Sequence, residues 1–426
     1  MDHFQRHEGR LFCEEVDLAE LATHYGTPLY VYSRATITRH IRVLKEGLAD
    51  LPHHICYAIK CNSNLAILDL INQLDCGFDA VSLGELRKAQ QINAPMHTTI
   101  LSGVGKRDDE IRGALEAGVM YIGVESEEEL SRVAEIAEAL KVQAPVAVRV
   151  NPDVDAKTHP YISTGMRDNK FGVPFERAES LYQQASRNEH LKMTGVTCHI
   201  GSQITQLAPF VDAAKRMSHL AQRLQAGGIP LHYVGMGGGL GIPYHHGEGD
   251  EAPPPSPRDY GAALKEILGP LNLTAVFEPG RVLVGNAGIL LTKIVRTKQG
   301  ATGKFVIVDA GMNDLIRPAL YQAHHDIETL LPPGDATEIV DVVGPVCESA
   351  DTFAKQRALP LTQAGDLLGL RSVGAYGMVM ASSYNGRPRP AEVLCDGDAH
   401  QLIRQRDDLE DLWRGEFPLH ALAKPA

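Results

Sequence analysis

No two of the seven cysteines (Cys13, Cys56, Cys61, Cys76, Cys198, Cys347 and Cys395) form a C-x-x-C pair, so the sequence suggests neither a zinc site nor a disulfide framework. Positive charge is in the minority. Lys and Arg number 41 against 53 Asp and Glu, a net charge of −12, which argues against nucleic acid as the main partner. A local basic patch for an anionic ligand remains compatible with that balance. No stretch approaches the roughly 18 apolar residues of a membrane helix. The opening MDHFQRHEGRLF holds no apolar run of signal-peptide length. Internal repeats are lacking as well. These absences lead to the expectation of a soluble protein of a reducing cytoplasm, with no membrane partner. What is present is an ordinary globular composition, 44% hydrophobic and 22% charged, over 426 residues, enough for two domains and a large core.

Short apolar, β-branched runs alternate with helix-like segments. Strands are expected near Ile55–Ile59, Phe78–Val81, Thr98–Leu101, Tyr121–Val124, Val146–Val150, Gly195–His199, Tyr233–Met236 and Ala275–Phe277. Helices are expected over Leu65–Leu74, Gly84–Gln91, Asp108–Ala117, Glu127–Leu140 and Val211–Ala226. Eight strand–helix units predict an α/β fold, a closed (β/α)8 TIM-like barrel, with an open doubly wound sheet as the alternative. After Glu278 the pattern changes to strands with Gly/Pro turns: Val282–Leu291, Lys304–Asp309, Ile339–Gly344, Asp366–Leu370 and Glu392–Asp396. A mainly β C-terminal domain is expected there. The division reads as an N-terminal segment 1–28 packed with the β domain, a barrel over 29–277 and a β domain over 278–426. The polar, Pro-rich stretch His245–Arg258 reads as an exposed loop.

A barrel carries its functional residues at the C-terminal ends of its strands, and the suggestive residues fall there. Lys60 ends the first strand, Asp79 lies in the second, His199 ends the sixth, Gly237–Gly239 follow the seventh and Glu278 follows the eighth. A partly desolvated Lys60 amine would be a nucleophile toward a carbonyl, although a strand-end lysine is commonly solvated. Gly237, Gly238 and Gly239 suit close approach of backbone to a phosphate, or simply a tight turn; they are not a Walker A loop. Glu278 suits a pyridinium nitrogen, or a salt bridge with Arg281. His199 suits stacking on a flat ring, acid–base work, or a satisfied core position. Cys347 and Glu348 offer a thiol proton donor beside a carboxylate, or a small buried hydrophobe beside a surface charge. Arg281, Arg317, Tyr321 and Tyr376 are candidates for carboxylate or phosphate. His245 and His246 lack spaced partners, so no metal is expected.

Ten stretches carry a family resemblance, in order: YAIKCNSN, GFDAVSLGEL, SGVGKRDDEI, RVNPDVDAKTHPYISTGMRDNKFG, HIGSQI, GMGGGLGIPY, EPGRVLVGNAG, DAGMNDLIRPALYQAHHDI, GPVCESADTF and GAYGMVMASSYNGRPRPAEVL. Together, over about Tyr25 to Asp396, the chain resembles the fold-type III pyridoxal-phosphate (PLP) decarboxylases. The resemblance implies the cofactor pyridoxal 5'-phosphate, held as a Schiff base on Lys60, with His199 stacked on its ring and Glu278 on its nitrogen. It implies a cofactor site that also takes in Asp79, Ser202, Gly237–Gly239, Gly280, Arg281 and Tyr376. It implies substrate contacts from Arg281, Arg317, Tyr321, Glu348 and Tyr376, and a homodimer with shared sites in which Cys347 and Glu348 reach in from the other subunit. Cys347 would protonate Cα after CO2 leaves. The segment DAKTHPYISTGMRDNKFG is of the diaminopimelate type, which implies a small amino-acid substrate, meso-diaminopimelate, converted to lysine in lysine biosynthesis. A decarboxylase of another amino acid or of carrier-bound glutamate is the alternative. An alanine racemase would need a tyrosine base where this chain has Cys347, and a non-catalytic homologue would have no reason to keep both Lys60 and Cys347. Cys61 is a departure, standing where relatives more often carry a residue such as Ala.

Overall fold

The computed structural model describes residues 2–156, 170–245, 253–301, 303–332, 334 and 336–419. Eight parallel strands close into a barrel: β1 His53–Ala58, β2 Gly77–Ala80, β3 Ile100–Leu101, β4 Tyr121–Val124, β5 Ala144–Asn151, β6 Leu191–Thr197, β7 Tyr233–Gly237 and β8 Thr274–Phe277. β8 pairs with β1, and β5 joins β4 to β6, so no edge is left in the ring. All eight coincide with an expected strand, and the closed barrel is the architecture the sequence predicts.

Alternation along each strand decides what faces in. Tyr57, Ile122, Val146, Val148, Val234 and Phe277 point outward and pack on helix residues such as Leu68, Leu86, Val133, Leu220 and Leu264. Cys56, Ile100, Tyr121, Ala147 and Val276 form a separate small cluster that fills the interior. The residues two or more steps further along the same inward series reach the C-terminal mouth.

The second domain is a nine-stranded, mostly antiparallel sheet built around one long strand, Gly288–Gln299. Its far half pairs with Lys304–Val308, and its near half with Leu29–Ser33 and Leu367–Leu370. Two expectations need correction. Leu29–Ser33, placed in the barrel by the sequence reading, lies between Gly288–Gln299 and Ala391–Asp396 of this sheet. All five of its residues are buried, and its partners are hundreds of positions away, so nothing local marks its sheet. The expected strand Val282–Leu291 begins instead as a helical turn, Arg281–Val284, and the sheet starts only at Gly288. The N-terminal strands Phe4–His7, Arg10–Cys13 and Val16–Asp17 and the helix Leu18–Tyr25 share a core with Leu29, Val31, Ile289, Leu291 and Val393 of the sheet.

Candidate active site

Backbone hydrogen bonds tie the loops at the mouth into one rim. The Ala58 N–H donates to the Pro279 carbonyl (3.0 Å), the Glu278 N–H to Gly237 (2.8 Å) and the Cys198 N–H to Gly235 (3.0 Å). Lys60 sits in the single helical turn after β1, and its Nζ lies 3.4 Å from Oδ2 of Asp79. Asp79 is fully buried, and its Oδ1 is an acceptor without a protein donor. Burial opposes a charge on Lys60, but Asp79, Cys61 and Glu278 outweigh it and hold the ammonium above its ordinary value. Glu278 follows Val276 on the inward series. Burial, and then the neighbouring charge of Asp79, push its carboxyl up to about 8.

His199 leaves β6 with Nδ1 accepting from the Gly238 N–H (3.1 Å). Burial first, then Arg149 and Lys60, hold it well below the usual histidine range. The neutral ring therefore carries its proton on Nε2. Gly237 and Gly239 have φ of +65° and +106°, which few other residues adopt. A Cβ on Gly238 would meet the Glu278 carbonyl at 2.1 Å. The three glycines thus form a cradle free of side chains, in which the Gly238 N–H is already donated to His199. Gly238→Ala is expected to weaken binding of an anionic ligand about tenfold or more and to destabilise the fold by about 1–3 kcal/mol, since the loop must withdraw from Glu278. Phosphate-ligand retention and the Tm measure the two effects, and an unchanged pair of values would mean the cradle is not tight.

Arg281 and Arg317 are both buried, each with an Nε that no protein acceptor meets. Arg281 reaches the Tyr244 hydroxyl and donates to Ser202 Oγ (3.2 Å), and its guanidinium lies 4.9 Å from the Tyr376 ring centre. The Arg317 guanidinium lies 4.6 Å from the Tyr244 ring centre and donates to His325 Nε2 (2.9 Å). Burial and Arg317 push His325 down to about 3, so it is neutral, with its Nδ1–H on the Arg371 carbonyl (2.7 Å). Tyr321 closes the short helix Arg317–Tyr321. Tyr376, at φ +56°, donates its N–H to the Cys61 carbonyl (2.8 Å) and so docks the second domain on the turn that carries Lys60. Cys61 fits because residue 280 is glycine: a Cβ there would lie 2.0 Å from its Sγ.

Cys347 and Glu348 stand apart. Both are exposed on a loop of the second domain, where the Cys347 N–H donates to Asn385 Oδ1 (3.1 Å). The sequence reading missed Glu125, Arg149, Tyr244 and His325. An arginine inside the apolar run VAVRV was the legible signal for one of them. His245 stacks on His324 (3.7 Å), and with Asp326 their ligand atoms lie within 4.8 Å of one another. Arg357 donates to His324 Nδ1 (3.0 Å), which leaves the Nε2 proton for Asp326 (2.7 Å), so these groups already satisfy one another. His246 and residues 157–169 of the diaminopimelate-type segment lie outside the described residues.

A lysine in contact with a carboxylate, a neutral imidazole, a second carboxylate and a glycine cradle at one end of a barrel define a pyridoxal-binding enzyme. Residues 34–285 match the family model for the pyridoxal-binding domain of pyridoxal-dependent decarboxylases. The chain is 50% identical to diaminopimelate decarboxylase of Vibrio cholerae, across 98% of this chain and 100% of that one. The Helicobacter pylori diaminopimelate decarboxylase structure complexed with L-lysine superposes with a TM-score of 0.90 at 41% identity, covering 94% of this chain and 99% of that one. The M. jannaschii diaminopimelate decarboxylase in co-complex with L-lysine gives 0.93 at 37%, covering 98% of each. The chain belongs to the diaminopimelate decarboxylase family and binds pyridoxal phosphate.

Proposed function

We propose that the chain removes one carboxylate of meso-diaminopimelate to give L-lysine and CO2, as a cytoplasmic homodimer, with the mouth of the barrel as its PLP site. The observation that carries this reading is the convergence on one rim of Lys60, Asp79, His199 and Glu278 with the glycine cradle and two buried arginines. Bound PLP supplies an electron sink for the pair left behind as CO2 departs.

The remaining work falls to the chain. Lys60 would hold the cofactor, with Asp79 beside it as the counter-charge. Neutral His199 offers a flat face to the ring. Glu278 would face the ring nitrogen as a carboxylate accepting its N–H, the positive ring offsetting the burial that otherwise raises its proton affinity. Ser202, Gly237–Gly239 and the backbone of Gly280 and Arg281 receive the phosphate. Arg281, Arg317 and Tyr321 receive substrate carboxylate, and Tyr376 lines the cofactor. The exposure of Cys347 and Glu348 supports their service in a partner's mouth, Cys347 giving a proton to Cα and Glu348 pairing with the distal ammonium. No helix among the described residues is long and apolar enough to cross a membrane.

The test is a substrate panel: purified holoenzyme with meso-diaminopimelate, ornithine, arginine and glutamate, measuring CO2 and product. CO2 from meso-diaminopimelate alone, with stoichiometric lysine, is the expected result. Turnover of another member in its place would overturn the substrate assignment.

A further inference from the structure

Among the inward-facing groups at the mouth, Arg149 has no part in the scheme above. Ala147 belongs to the interior cluster, so Arg149, two residues further along β5, points the same way and one layer higher. Glu125 stands in the corresponding place beyond Tyr121 and Gly123 of β4. The two meet: Arg149 Nη1 donates to Glu125 Oε1 (3.0 Å), with side chains 15% and 3% exposed. Glu125 is itself fixed. Its second oxygen accepts the Gly172 N–H (3.0 Å), and its own N–H donates to Glu129 Oε2 (2.7 Å). Glu129 in turn pairs with Lys106, which is 1% exposed and also donates to the Gly103 and Gly123 carbonyls at 2.6 Å each. On the other side, the guanidinium lies 4.7 Å from the Phe171 ring centre, with Lys170 beyond it.

The inward layer thus carries three carboxylates, Asp79, Glu125 and Glu278, with the cations Lys60 and Arg149, while Arg281 and Arg317 come in from segments outside the barrel strands. Once Lys60 is engaged by cofactor, Arg149 is the remaining fixed cation of the inward layer. We propose that Arg149, locked in place by Glu125, is a positioning residue of the pyridoxal site that sets the proton affinity of the groups around the bound cofactor. This rests on the pyridoxal-site reading above. Charges of one sign act alike on every proton nearby: Arg149 lowers the proton affinity of Lys60, His199 and Glu278 together, and Glu125 raises that of Glu278. The other titratable groups facing these are Asp79 and Glu85, the thiols of Cys56, Cys61 and Cys198, Tyr121 and, toward the second domain, Arg281 and Tyr376, none of which the variants below alter.

The test is the pH titration of the visible absorbance of the PLP-loaded protein. Arg149→Gln is expected to move the midpoint up by about one pH unit, a tenfold change in proton affinity, and Glu125→Gln to move it down. Arg149→Lys, which keeps the charge, is expected to return most of the shift. A purely structural pair would perturb the site in the same direction whichever partner is removed. Shifts of the same sign, no shift, or an Arg149→Lys protein that behaves like Arg149→Gln would overturn the assignment. Wild-type protein that does not hold PLP at all would overturn the site reading instead, so the two failures are distinguishable.

Discussion

Lys60→Ala is expected to lower kcat with meso-diaminopimelate by at least about 10³-fold, because in the proposed scheme the side chain both holds the cofactor in register and exchanges with the incoming amine. The second consequence is local. Asp79 is fully buried and its Oδ2 has Lys60 at 3.4 Å, so the variant removes its nearest cation. The Lys60 side chain is 41% exposed, so solvent screens the loss and its cost is about 1 kcal/mol. Reduced Tm and weaker PLP retention should therefore accompany the lost turnover. Added ethylamine, small enough to occupy the space of the missing chain, is expected to restore part of the activity. Full activity in the alanine variant, checked by lysine formation, would remove Lys60 from the reaction.

Cys347→Ala is expected to cost about 10²–10⁴-fold in turnover, the usual worth of a positioned proton donor, with the PLP absorbance left intact. Cys347 is exposed on the second domain, whereas Lys60 lies in the barrel mouth, and this contrast supports a site shared between subunits. Mixing Lys60→Ala with Cys347→Ala protein makes that concrete. In a two-fold dimer with crossed contributions, each mixed dimer has one intact site, so random exchange restores up to about a quarter of the sites. Confirmed exchange with no recovery would mean that each chain completes its own site.

The barrel was legible because each of its strands is a short apolar run followed by a helical period, and because the mouth residues come directly after those runs. Asp108–Ala117 and Glu127–Leu140 match their helices end to end, each carrying three acidic residues in its first turn. What escaped is non-local. LYVYS has the same local signature as a barrel strand, and only its pairing with Gly288–Gln299 and Ala391–Asp396 assigns it elsewhere. VLVGNAGILL reads as one apolar strand, yet its first three residues join Arg281 in a helical turn that sets Arg281 beside Ser202 and Tyr244. In the site, Lys60, His199 and Glu278 could be read by position. Arg149 could be reached only by counting inward faces along VAVRV, and His325 only through its contact with Arg317. Cys61 looked like a departure beside the lysine, and the absence of a side chain at Gly280 accommodates it.

Borohydride reduction of the PLP-loaded enzyme, followed by peptide mapping and a parallel assay of lysine formation, tests whether the chemistry runs through a cofactor held on Lys60. The expected result is one PLP-mass adduct on the peptide containing Lys60, decarboxylation lost in step with labelling, and protection of Lys60 when meso-diaminopimelate is present. An adduct on another lysine, or full labelling with decarboxylation retained, would contradict it.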